Sequence, residues 1–326
     1  MSITTDDIRS IAIAGHGTTG KTTLTENILL HGGVISKAER VESGKTVSDY
    51  SDEEIANNFS IHTSLSTVNW ADTKVNTLDT PGASDFVGEV VAAFRVAESA
   101  VMLISAKDGV EIETIKLWRR LNKRTMPRIV FVNKMDEERA SFAKALEDLH
   151  TKFEMNFVPV TIPMGNGNDF KGVINLIEMK AYMIPESGKD EKPVEIPDEY
   201  RDQAEAAHAE LIGRAAEGDE ELEEKYLMEE DLSLEEAKRG IMEGLRSNKV
   251  VPVMCGSGLK GSGVANLLTF VARSAPSPKG INERAFDADH NESELEIHSG
   301  GPLSCMCLKT TIDQLSATLS FTKVMT

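Results

Sequence analysis

The 326-residue sequence contains no run of about 18 apolar residues, so no helical membrane span is expected. Its first residues, Met1-Ser2-Ile3-Thr4-Thr5-Asp6-Asp7, lack the basic stretch and apolar core of a secretory signal. Cysteine is scarce. There are three, an odd number, which fits a reducing cytoplasm rather than a disulfide scaffold. Cys305-Met306-Cys307 has no second pair and no suitably spaced His, so strand alternation explains it better than a metal site. Bases are also in short supply. With 35 Lys and Arg against 53 Asp and Glu, the net charge of −18 argues against a general nucleic-acid binder held by a basic surface. The imbalance is local: from Glu186 to Arg246, 21 acidic residues face 8 basic ones, a net of −13 that leaves −5 for the rest. Such a stretch is ordinarily a solvated helix surface, and reads as a docking surface only if something else points to a partner.

Against these absences stands one dense motif, Ala14-Gly15-His16-Gly17-Thr18-Thr19-Gly20-Lys21-Thr22-Thr23. It follows the apolar run Ile11-Ala12-Ile13, read as a buried strand, and precedes Leu24–Leu30, read as a helix. The spacing Gly-x-x-x-x-Gly-Lys-Thr in a strand–loop–helix context is that of a phosphate-binding loop. Small residues let backbone N–H groups curl around phosphate oxygens, and the helix N-terminus adds a favourable dipole. Lys21 can reach β- and γ-phosphates, and the Thr22 hydroxyl can ligate Mg²⁺. A plain Gly-rich turn would leave Lys21-Thr22 unexplained.

Further along, residues 34–58 look irregular, and Thr63–Trp70 and Lys74–Leu78 read as strands paired through Ala71-Asp72. The second strand delivers Asp79-Thr80-Pro81-Gly82, suited to sensing Mg²⁺ and a γ-phosphate. Val87–Ala97 and Ile112–Arg124 read as helices, Ser99–Ser105 and Arg128–Val132 as strands. The last of these ends in Asn133-Lys134-Met135-Asp136. A carboxylate at Asp136 can accept from both N1 and the 2-amino group of guanine, a donor pair that adenine lacks, and so selects GTP over ATP. A nucleoside or metabolite kinase is the other phosphate-loop reading, and Asn133–Asp136 argues against it.

Phe142–Phe153 reads as a helix and Val158–Ile162 as a strand, after which the pattern changes. Short strands around Val173–Ile184, an acidic helical region Tyr200–Met228 and a capping box at Ser233-Leu234-Glu235-Glu236 precede the buried strand Val250–Cys255 and the helix Val264–Arg273. The expected architecture is α/β: a mostly parallel sheet with helices on both faces over residues 1–280, interrupted by an α+β insertion at 160–248. Residues 281–301 read as a linker or mobile loop. Residues 302–326 alternate as strands that cannot bury a core alone, and read as the opening of a β-barrel domain in a longer protein.

Gly15–Thr23, Asp79–Gly82, Asn133–Asp136 and Gly256–Gly258, in that order, resemble the translational GTPases, and most of all the elongation factor G family. Phe59-Ser60-Ile61, Asp85-Phe86 and Pro127–Asp136 extend the resemblance, while Thr46–Tyr50 and Asp79–Phe86 are more similar to the divergent elongation-factor-G-like paralogues. The resemblance implies a phosphate-loop GTPase domain with a G′ insertion and the start of domain II. It implies GTP or GDP on Gly15, His16, Gly17, Thr18, Thr19, Gly20, Lys21, Thr22 and Thr23, on Asp79, Thr80, Pro81 and Gly82, on Asn133, Lys134 and Asp136, and on Ser257, Gly258 and Leu259. Mg²⁺ would be held by Thr22, by Ser60 where the family usually has Thr, and through water by Asp79. Catalysis would involve Lys21 and the Gly82 N–H. The implied partners are the ribosome, through its RNA and its stalk proteins, with the acidic insertion as a docking surface; the implied state is a cytoplasmic monomer.

One departure stands out. Where the family usually places a water-orienting His after Asp79–Gly82, this chain has Ala83. Losing that group should hurt turnover and spare binding, because phosphoryl transfer rests on positioning and electrostatics. His16 and His62 are near in sequence, but neither needs to point at the water. Two alternatives follow: a GTP-gated ribosome-binding module with little hydrolysis, and a ribosome-protection or release-type GTPase.

Lys21→Ala is expected to abolish nucleotide binding, and Asp136→Asn to weaken guanine preference. Titrating fluorescent GDP and ADP against each variant checks both, and equal affinity of the native chain for the two nucleotides would overturn the assignment.

Overall fold

The computed structural model describes residues 3–189, 191–229, 231–286, 289–298, 300–312 and 317–326. In chain order the first half comprises β1 (Ile8–Gly15), α1 (Lys21–His31), α2 (Asp52–Asn57), β2 (Ser64–Trp70), β3 (Thr73–Asp79), α3 (Val87–Val96), β4 (Ser99–Ser105), α4 (Ile112–Arg124), β5 (Arg128–Asn133), α5 (Phe142–Lys152) and β6 (Asn156–Pro159). Then come β7 (Thr161–Met164), β8 (Gly172–Asn175), β9 (Lys180–Met183), β10 (Pro193–Val194), α6 (Asp198–Ala216), α7 (Glu220–Glu229) and α8 (Leu234–Ser247). The chain continues through β11 (Val250–Cys255), α9 (Val264–Ser274), β12 (Asn282–Phe286), β13 (Glu292–Glu296), β14 (Cys305–Ile312) and β15 (Thr318–Val324).

Seven strands form the main sheet in the order β2-β3-β1-β4-β5-β11-β6. All neighbours are parallel except the β2–β3 hairpin. Its two-residue turn is Ala71-Asp72, with φ of 48° and 60°, the conformation whose twist matches a hairpin. The central strands β4, β5 and β11 are buried along their whole lengths, as the continuous apolar runs require when helices cover both faces. α1 and α9 pack together against β2 and β3, whereas α3 and α4 pack on β1 and α5 on β6.

The segment between β6 and β11 builds a second unit. Its four strands run β10-β9-β8-β7, all antiparallel. Val158–Ile162 is not one strand, as the sequence pattern predicts, but two. The chain changes sheet at Val160, whose N–H donates to the Val253 carbonyl and whose own carbonyl accepts from Leu176. One residue thereby joins the insertion to the main sheet. α6 and α8 cross at small residues, so closely that a Cβ on Gly240 would lie 2.2 Å from the Ala215 carbonyl oxygen.

Two expectations are corrected. Residues 34–58 include a helix, α2, started by a capping box in which Ser51 accepts from the Glu54 N–H and the Glu54 carboxylate accepts from the Ser51 N–H. A single helical turn and a half is too short for its period to be legible. Residues 281–301, expected as a linker or mobile loop, carry the paired strands β12 and β13, in register from Asn282↔Glu296 to Phe286↔Glu292. Both strands are polar and largely exposed, so no core-facing alternation marks them. β14 and β15 form the last hairpin, which rests on α3: Lys323 donates to the Val96 carbonyl and pairs with Glu98, and Lys309 donates to the Thr63 carbonyl. Among the described residues no helix is long and apolar enough to cross a membrane.

Gly240→Ala should lower the stability of the chain even though Ala is the better helix former by about 1 kcal/mol, because overpacking costs roughly 1–3 kcal/mol. A thermal melt of the variant above that of the native chain would contradict this.

Candidate nucleotide-binding site

Parallel registry places four loops along one edge of the sheet. Ile13 is level with Asp79, Ser105 with Asn133, and Cys255 with Val132, so the turns after β1, β3, β5 and β11 emerge together. They surround a cleft of about 680 Å³. Of the residues expected to meet nucleotide or metal, His16, Gly17, Thr18, Gly20, Lys21, Thr22, Thr23, Ser60, Gly82, Ala83, Asn133, Lys134, Asp136, Ser257 and Leu259 line it. Gly15, Thr19, Asp79, Thr80, Pro81 and Gly258 do not line it, and of these Gly15, Thr19 and Gly258 hold Lys21 and Asn133 in place.

At the phosphate end Lys21 is 6% exposed, and its ammonium donates to the carbonyls of Gly15 (3.2 Å) and His16 (2.9 Å). Burial pushes the ammonium down to about 8, against the pull of Asp79 and then Asp49. Gly82 approaches so closely that a Cβ there would sit 2.5 Å from Lys21 Nζ and 2.7 Å from Gly17 Cα. Any larger residue would push the Asp79–Gly82 turn off the phosphate loop.

Asp49 and Asp79 are 4% and 1% exposed, and none of their four carboxylate oxygens has a hydrogen-bond partner among the described residues. Burial first, then the neighbouring Asp49 charge, push the Asp79 carboxyl up to about 7, against the pull of Lys21. Burial likewise raises Asp49. Beside them the Thr22 and Ser60 hydroxyl oxygens are 3.1 Å apart. Two unsatisfied carboxylates and two hydroxyls are hard oxygen donors, which fits Mg²⁺. Among the described residues no three His, Cys, Asp or Glu side chains converge as a metal cage.

The segment over this end is pinned by two buried glutamates. Glu26, on α1, accepts from the N–H groups of Glu39 (3.0 Å) and Val47 (2.6 Å). Glu54, on α2, accepts from Ile61 (2.9 Å) and His62 (3.0 Å). Together they set Asp49 and Ser60 in place. Sequence reasoning missed Asp49, Glu26, Glu54 and Arg40, which also lines the cleft. Only Glu54 carried a signal, the Ser51-x-x-Glu54 spacing.

At the other end Asn133 spends both ends of its amide on protein. Its Nδ2 donates to the Thr19 carbonyl (2.8 Å) and its Oδ1 accepts from the Gly258 N–H (2.7 Å). It stitches the phosphate loop to the turn after β11. A Cβ on Gly20, whose φ is +91°, would lie 2.6 Å from that Nδ2. Lys134 pairs with Glu137 at 2.8 Å, and the Ser257 hydroxyl accepts from the Lys260 N–H.

Ala83 lines the cleft with a methyl group and nothing else to offer water. His16 Nε2 lies 3.3 Å from Glu111, and His62 is not among the cleft residues. Phe59 stacks on Phe86 with ring centroids 6.2 Å apart, so the segment before β2 touches the one after Gly82.

Because the Asp79 carboxyl is raised in the folded state, its charge penalises folding increasingly as pH rises from 3.8 towards about 7 and steadily above that. Asp79→Asn, melted without nucleotide and in EDTA, should therefore gain stability relative to the native chain as pH rises across that range. The gain is bounded at about 4 kcal/mol and reduced because Lys21 loses an attracting charge. A native chain more stable than the variant at pH 8 would contradict it.

A family model described as the elongation factor Tu GTP binding domain matches residues 6–277. Elongation factor G of Mycoplasma pneumoniae (strain ATCC 29342 / M129 / Subtype 1) is 34% identical over 321 residues, covering 98% of this chain and 46% of that protein. A crystal structure of a protein from Thermus thermophilus matches with a TM-score of 0.85 at 30% identity, covering 98% of this chain and 45% of that one. The chain thus spans about half the length of the relatives it matches. With a GTP-binding-domain model matched across nearly the whole main sheet and its insertion, the chain belongs to the translational GTPases, in the elongation factor G family.

Proposed function

We propose that this chain is the nucleotide-switching part of a translation factor of elongation factor G type, which couples GTP binding and hydrolysis to a ribosomal step such as translocation. What supports the reading is the meeting of a lysine-bearing phosphate loop, an Asp-x-x-Gly turn and an Asn-Lys-x-Asp turn in one cleft. Lys21 and the loop amides hold the β- and γ-phosphates, and the Gly82 N–H senses the γ-phosphate. Asp136 reads N1 and the 2-amino group of guanine, while Ser257 and Leu259 face its O6 edge and Gly258 holds their turn through Asn133. When bound, Mg²⁺ would neutralise charge on the β- and γ-phosphate oxygens, held by the Thr22 and Ser60 hydroxyls and, through water, by Asp79. The γ-phosphate thereby orders the segment around Ser60 and the turn at Gly82, and that ordering is the switch. The protein acts as a cytoplasmic monomer on the ribosome, touching its RNA and offering the acidic face of α6 and α7 to its stalk proteins.

A second reading is favoured by Ala83: a GTP-gated ribosome binder with little hydrolysis. Turnover is slow without the ribosome, since no side chain at Ala83 orients the attacking water.

The complete protein should release phosphate slowly alone and faster with purified ribosomes. Ala83→His should raise the ribosome-stimulated rate by about tenfold or more and leave GDP affinity unchanged. Ribosome-independent, histidine-insensitive turnover would overturn the first reading, and strong stimulation of the native protein would eliminate the second.

A further inference from the structure

The turn after β11 is held from two sides. Its base is closed by paired hydrogen bonds, Ser257 N–H to the Ser262 carbonyl (3.0 Å) and Ser262 N–H to the Ser257 carbonyl (3.1 Å), and Gly258 is tied to Asn133. Its far end runs into α9, whose N-cap is Gly263, with φ of 79° and no side chain to satisfy the first helical N–H groups. Those donors are taken by a residue of the insertion. Glu191 Oε1 accepts from the Gly263 N–H at 2.5 Å, and Oε2 accepts from the Ala265 N–H at 3.1 Å. Two more contacts close the same corner. A Cβ on Gly261 would lie 2.2 Å from the Gly188 carbonyl oxygen, and His31 Nε2 lies 3.2 Å from the Gly261 carbonyl oxygen. The loop between β9 and β10 and the end of α1 therefore meet at the turn that feeds α9.

We propose that Glu191 is a positioning residue for guanine binding: an N-cap supplied by the insertion that holds the 257–262 turn against the base, so that the insertion sets the rate of nucleotide release. The proposal rests on the reading of the cleft as a guanine-nucleotide site. A charged acceptor on two backbone donors is a strong contact, and it sits at the helix end where the dipole favours an anion. It is also a desolvated one, since burial pushes the Glu191 carboxyl up to about 7 against the pull of both amides. An anchor meant only to hold the insertion down needs no such charge; Val160 already serves as a backbone joint. Releasing Glu191 removes the strongest hold on the far end of the turn, leaving the His31 contact there and the Asn133 grip at the near end, so the turn loosens rather than melts.

The test uses stopped-flow release of fluorescent GDP and of inosine diphosphate, which keeps O6 but lacks the 2-amino group. Glu191→Ala should accelerate release of both by about tenfold, because a contact to a charged acceptor is lost, and leave their ratio unchanged. Asp136→Asn should instead collapse the ratio. Glu191→Gln, which keeps one acceptor oxygen, should fall between native and Glu191→Ala, and Lys192→Ala on the same loop should match the native rate. Release from Glu191→Ala within about twofold of native, with native binding intact, sinks the proposal. So does acceleration shared by Lys192→Ala or explained by a parallel drop in melting temperature. Absence of GDP binding by the native chain would instead sink the underlying reading of the cleft.

Discussion

A buried ammonium is the constraint around which the site is arranged. Lys21 sits at the start of α1 almost out of water, and desolvating a charge is costly unless opposite charge is brought to it. Asp79 and Asp49 bring that charge, but they are themselves buried and, when both are ionised, carry one negative charge more than Lys21 neutralises. No arrangement of these three side chains is satisfied by itself. An excess of negative charge beside a buried ammonium is an imbalance that a divalent cation would relieve. Close packing of Gly82 on Lys21 and Gly17 fixes the geometry in which this happens.

The parts of the fold that were legible in the sequence are those where one requirement dominates. β1, β4, β5 and β11 lie inside a parallel sheet, and burial on both faces leaves continuous apolar runs. The turns after β1, β3 and β5 carry residue types that a plain turn does not require, so the order Gly15–Thr23, Asp79–Gly82, Asn133–Asp136 was readable without a structure. Where several weak requirements share a segment, the reading failed. β12 and β13 are polar on both faces and pair through backbone alone. Asp49 is an ordinary Asp in a loop until folding takes its water away. Asn133 was legible as a member of the guanine motif, but its second task, tying Thr19 to Gly258, depends on a partner 125 residues away in sequence that no local pattern announces.

A single device recurs where loops must be held without a strand. Glu26, Glu54 and Glu191 each present a carboxylate to two or more backbone N–H groups outside their own element, and Glu89 presents one to the Thr63 N–H. Loops cannot satisfy their own amides as helices and strands do, and a carboxylate takes two or three at once. In an acidic chain such residues are plentiful, so local spacing does not distinguish a loop-holding glutamate from the solvated ones on α6 and α7. The distinction lies in burial, which is a property of the fold.

The same device marks off a part of the site that is held more weakly than the strands are. The turns at Lys21, Asp79 and Asn133 are extensions of strands embedded in the core, and displacing them breaks ladder bonds. The segment from Val34 to Phe59 has no ladder. Val34, Val47, Tyr50, Ile55 and Phe59 are exposed, so little apolar burial holds it, and its attachments are chiefly the amide contacts to Glu26 and Glu54 and the Phe59–Phe86 stack. Each such contact contributes on the order of 1–3 kcal/mol, which is comparable to the cost of ordering one or two residues. A segment balanced this closely is drawn from the low-stability end of the fold, and a ligand that gives Ser60 and Asp49 new partners can shift it. Ala83 does not alter that balance. It lies next to Gly82, on the turn that follows the core strand β3 and outside the weakly held segment. The weakly held segment with its carboxylate contacts and the turn that carries Ala83 are therefore separate structural parts of one cleft, and a change in either leaves the attachments of the other in place.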